Sequence, residues 1–95
     1  MTYADPVQRR KLISGLRALA RFLESNPAVP APLFTDVIVI PTFNSDAENW
    51  REIDAIASRI GSGTTTTSYR HYVTSRVFGT VEYRAVAIPA DARKR

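Results

Sequence analysis

The chain opens on a helical hydrophobic period. Leu12, Leu16, Leu19 and Leu23 recur at steps of four, three and four, which puts them on one stripe of an α-helix. Ile13 and Ala20 widen that stripe, and Arg9, Arg10, Arg17 and Arg21 lie mostly off it. Asp5 is a capping residue, Pro6 suits the first helical position, and Gln8 stands where a capping-box partner would. Pro27 disfavours helical geometry in the residue before it, so the pattern predicts a helix over 5–26. Gly15 costs this helix about 1 kcal/mol relative to alanine and marks a place for close packing. A second helical stripe, Trp50, Ile53, Ile56, Ala57 and Ile60, follows the capping box of Ser45 and Glu48 and stops at Gly61. It predicts a helix over 45–60, with Trp50 read first as a core residue.

Between the two helices the period changes. Pro27, Pro30 and Pro32 stiffen an extended connector, which is read as a spacer rather than as a proline-rich ligand. Val37 to Ile40 is a run of four β-branched apolar residues ending at Pro41. Such a run predicts a strand over 36–40, buried on both faces and therefore central. Four threonines, Thr64 to Thr67, lead into two β-prone runs on either side of Phe78-Gly79-Thr80. These predict an antiparallel hairpin, 66–78 and 81–88, with Gly79 first and Thr80 second in a type II′ turn. A two-residue loop sets Phe78 opposite Val81 and Arg76 beside Tyr83. A three-residue loop sets Arg76 opposite Glu82 and gathers Val73, Val77, Val81, Ala85 and Ala87. The second register is preferred for its Arg76–Glu82 pair. A slip of one residue exchanges the faces of one strand relative to its partner.

The expected fold is therefore a single α+β domain over 1–95. Its order is helix-strand-helix-strand-strand, with a three-stranded sheet, a C-terminal antiparallel hairpin, two helices on one face and a frayed tail at 90–95.

Composition narrows the chemistry more than it names it. The 95 residues contain no cysteine, which removes disulfides and thiolate sites. One histidine, His71, with no nucleophile or orienting group close in sequence is a weak basis for catalysis or a zinc site. No phosphate-loop, dinucleotide or nucleophile-elbow motif occurs. Asp46, Glu48, Glu52 and Asp54 fall on the second helix without a calcium-loop spacing and read as a solvated face. No cofactor and no metal are expected, and the protein is read as a non-enzyme. The N-terminus lacks the apolar segment of a secretory signal, and no apolar run could span a membrane. A cytoplasmic location is expected.

The net charge of +4 is unevenly spread. Residues 1–26 hold five cationic and two anionic side chains, residues 27–63 two and five, and residues 64–95 six and two, giving +3, −3 and +4. Such an asymmetry suits an anionic partner or internal pairing. Arg70, Tyr72, Thr74 and Arg76 share one face of their strand by the period of two. In the preferred register Glu82 and Arg84 lie beside them. The candidate partner-binding set is therefore Arg70, Tyr72, Arg76, Glu82 and Arg84. Arginine and tyrosine are enriched in interface hot spots, so the first expectation is a protein-interaction module acting on another protein or on a second copy as a homodimer. The alternative is nucleic-acid binding by the same arginines, helped by Arg93, Lys94 and Arg95.

The C-terminal stretch Phe78 to Pro89, FGTVEYRAVAIP, taken with Leu12 to Leu23 and Asp36 to Ile40, resembles small uncharacterised proteins of actinobacteria and their bacteriophages. The resemblance carries no established activity and no site residues. It implies a bacterial or phage-infected cell and an accessory or host-modulating role.

Overall fold

A computed structural model describes residues 3–93. The chain divides into two compact units, Tyr3–Leu33 and the residues from Phe34 onward.

The first unit is built on helix α1, Pro6–Ser25. Its capping box forms as its residue types dictate. The Gln8 N–H donates to Asp5 Oδ1 at 2.8 Å, and the Asp5 N–H donates to Gln8 Oε1 at 2.9 Å. At the other end Asn26 Nδ2 donates to the Phe22 carbonyl at 2.8 Å, satisfying one of the orphan acceptors of the last turn. None of the residues of α1 is buried.

The second unit holds strand β1 (Thr35–Val39), helix α2 (Asp46–Ile60), strands β2 (Thr65–Thr66), β3 (Tyr72–Phe78) and β4 (Val81–Ala87), and a one-turn helix α3 (Ala90–Arg93). The class is α+β. The sheet has four strands, not three, in the order β1-β4-β3-β2. β1 runs parallel to β4, and the other two pairings are antiparallel.

The extra strand comes from a break in the expected long strand. Arg70 adopts a φ of 63°. Thr67 organises the reversal around it: its Oγ1 accepts from the N–H groups of Tyr69 (3.3 Å) and His71 (3.2 Å), and its carbonyl accepts from Arg70 at 2.9 Å. Side-chain bonds of this kind compete with strand pairing, and the threonine run folds back on β3 as β2.

β1 is an edge strand, not the central one expected. Among the described residues it pairs with β4 alone, and Asp36 and Ile38 remain exposed. β4 takes the centre, and its three consecutive buried residues, Ala85, Val86 and Ala87, are the mark of a strand covered on both sides.

The hairpin register also differs from the preferred one. Phe78 lies opposite Val81 and Arg76 opposite Tyr83, across a two-residue turn. Gly79 has a φ of 65° and Thr80 does not share that sign, which is the pattern of a type II′ turn and closes the hairpin without a third loop residue.

Helix α2 packs on one face of β3 and β4. Ile53, Ile56, Ala85 and Ala87 form the buried centre, with Val39, Ile60, Tyr72 and Tyr83 packed around it. The two alanines let the helix approach closely. Of the two helices expected on one sheet face, α2 supplies the cover within this unit; α1 falls in the other unit. Ser45 caps α2 by accepting from the Glu48 N–H at 3.1 Å, and Gly61 ends it in the left-handed region. The fully buried Asn49 fixes the loop from β1, since its Oδ1 accepts from the Phe43 N–H at 2.8 Å.

Candidate docking surface

The register decides the fate of the five residues expected to form one Arg/Tyr-rich surface. Side chains alternate across a strand, and cross-strand partners share a face. Tyr72, Thr74, Arg76 and Phe78 therefore lie with Ala87, Ala85, Tyr83 and Val81 on the face that α2 covers. Glu82 and Arg84 lie with Val77 and Ser75 on the opposite face. Arg70 is not in the strand at all; it sits in the turn before it. The expected platform is thus split between two faces and a loop.

Each member also has a local partner. Arg70 Nη2 is 2.6 Å from Asp91 Oδ2, and both side chains are about two-thirds exposed. The hydrogen bond and charge of Asp91 raise the Arg70 pKa further above its ordinary value. Tyr72 stacks on Trp50 with ring centroids 4.2 Å apart and planes 6° from parallel. Its hydroxyl donates to Asp54 Oδ1 at 2.6 Å and lies 2.9 Å from Thr64 Oγ1. Tyr72 therefore ties α2 to the sheet instead of facing solvent. Arg76 lies over the Phe78 ring at 5.1 Å, within cation–π range. Arg84 Nη2 meets Glu82 Oε1 at 3.1 Å along one strand. Hydrogen bonds from Ser75 and then Arg84 hold the Glu82 carboxyl below the usual glutamate range.

The remaining polar candidates are also placed. His71 is half-buried at the end of the Thr67 turn, and its ring is tilted against Tyr69 with centroids 6.2 Å apart. Among the described residues no three His, Cys, Asp or Glu side chains cluster as a metal ion requires. Lys94 and Arg95 lie outside the described residues; Arg93 ends helix α3.

The surface that stands out is the apolar stripe of α1. Leu12, Leu16 and Leu19 are 50, 45 and 53% exposed, and Leu23 is half-buried. Ile13 (40%) and Phe22 (50%) flank them. At about 100° per residue the four leucines fall within roughly 60° of arc. Arg10, Arg17 and Arg21 line a groove on the far side with Ser14, about 150° away by the same geometry. These residues give α1 one apolar face, exposed except at the half-buried Leu23, and a cationic face opposite it. The leucine spacing was visible in the sequence, where it reads as an ordinary core-facing stripe. Its exposure was not, because spacing says which residues share a face and not what covers it.

No helix among the described residues is long and apolar enough to cross a membrane. No protein family, curated protein or solved structure matches the chain.

Proposed function

We propose that this is a non-enzymatic accessory protein, of the bacterial or phage kind and cytoplasmic, that works as a protein-interaction module and docks through helix α1. One observation carries the reading: a capped 20-residue helix buries none of its residues while a continuous leucine stripe lies open along it. Helix-in-groove recognition uses this pattern of anchors at helical spacing. The Arg/Tyr sheet platform, the first expectation from the sequence, contributes less to it, because its members lie on two faces and in a turn.

The test is site-specific photocrosslinking in the producing cell. A photoreactive side chain at Leu19 should form defined protein adducts. The same group at Arg21, about 200° around the helix, should not. Equal labelling from both positions, or none from Leu19, would sink the reading.

Nucleic-acid binding is the second reading, and one observation favours it: Arg10, Arg17 and Arg21 form a row on the polar side of α1. Phosphate binding by such a row releases counterions. It predicts oligonucleotide affinity that falls steeply with salt and that Arg17→Glu/Arg21→Glu abolishes. Affinity unchanged in that variant would remove it.

A further inference from the structure

Resting on the reading of α1 as a docking helix, we infer that the occupant of its stripe is α1 of a second copy of this chain, lying antiparallel across it. The leucine spacing is its own reverse: four, three, four read in either direction. Laid antiparallel, a second copy brings its Leu23 against Leu12 and its Leu19 against Leu16, and the two remaining layers repeat these by symmetry. Every central layer is then leucine on leucine, which is what a two-fold, self-complementary interface requires.

The flanks match by size. On one side the bulky Ile13 comes beside the second copy's Ala20. On the other, Phe22 comes beside the second copy's Gly15. A Cβ at Gly15 would meet nothing within 4 Å, so the position is an open notch able to receive a ring. Large against small on both flanks is how helix surfaces interdigitate without voids.

The charges agree. Arg10, Arg17 and Arg21 point away from the stripe, so pairing buries none of them. Antiparallel packing brings Arg9 of one helix toward Glu24 and the C-terminal end of the other, where a cation is favoured. Parallel packing would instead bring the two cationic N-terminal turns together, Arg9 of one helix toward Lys11 of the other. The leucines span about 16 Å of helix. A contact that short falls at or below the low end of stable interfaces, about 1,200 Å², so the dimer should form at about 10–100 μM.

The experiment uses the full chain. Sedimentation equilibrium across about 5–500 μM should show reversible conversion from 10.6 kDa to twice that mass. Leu16→Lys/Leu19→Lys, which alters exposed positions only, should weaken association at least about 100-fold while leaving Trp50 fluorescence as in the parent. Because the chain lacks cysteine, a Leu12→Cys/Leu23→Cys variant gives a second readout independent of that one. Tryptic peptides of the oxidised dimer should join position 12 of one chain to position 23 of the other. A chain that stays monomeric at the highest concentration, a dimer that survives the lysine substitutions, or links joining 12 to 12 and 23 to 23 would each overturn the inference. If the chain stays monomeric while Leu19 photoadducts contain a different protein, self-pairing fails and the docking reading stands.

Discussion

Ile53 is the residue on which the second unit depends most. It is fully buried and packs with Ile56, Ala85 and Ala87. Ile53→Ala removes three carbons from that centre. Two of the neighbours are alanines, which have no side chain to swing into the space, so relaxation can recover little. Substitutions of this kind cost about 2–5 kcal/mol, and the poor prospects for collapse place this one at about 3–4 kcal/mol. A unit of this size loses about 4–8 °C of Tm for each kcal/mol, so the expected drop is about 12–30 °C. Ile53→Val should cost only about 1 kcal/mol. Val77→Thr, on the same sheet but 62% exposed, should change stability by no more than about 0.5 kcal/mol. The assay is thermal and urea unfolding followed by the fluorescence of Trp50, the single tryptophan, which stacks on Tyr72 within this unit. A Tm shift under about 4 °C for Ile53→Ala, or an equal loss in Val77→Thr, would show that the core does not lie where α2 meets β4.

Three further outcomes follow from the geometry. Tyr72→Phe keeps the ring on Trp50 but deletes the hydroxyl that donates to Asp54; it should cost about 0.5–1.5 kcal/mol in urea unfolding, and no loss would mean that the bond is not made in solution. Gly79→Ala should destabilise by about 1–2 kcal/mol because φ there is 65°, whereas Gly63→Ala, with no positive φ and open space around it, should change little; equal effects at the two sites in the same assay would contradict the two-residue turn. The Glu82 carboxyl is held low by Ser75 and Arg84, so its folded-state pKa lies below its unfolded one and its contribution to stability is present above the unfolded value and lost as pH falls through the folded one; NMR titration should place it below the ordinary glutamate range, and Ser75→Ala should raise it, while a normal value in the parent would refute the bond.

The parts of this protein written in local chemistry were legible from the chain alone. Asp5 with Gln8 and Ser45 with Glu48 announce the helix starts, and Gly61 the stop, because a cap is settled among residues three or four apart. The hairpin was legible for the same reason, since Gly79 between two β-prone runs needs no distant partner. Decisions that couple distant segments were not. The run Val37 to Ile40 looks like a central strand, yet β1 sits at the edge, because β4 accepts β3 on its other side and the interior place goes to Ala85, Val86 and Ala87. One residue of turn length separated the expected register from the observed one. With a side-chain period of two, that step moved Glu82 and Arg84 to the face opposite Tyr72 and Arg76. The leucine stripe of α1 shows the same division. Its residues and spacing are properties of the chain, but whether a stripe becomes core or surface depends on what packs against it. Hydrophobic burial is non-directional, so periodicity names the face and only tertiary packing names its cover.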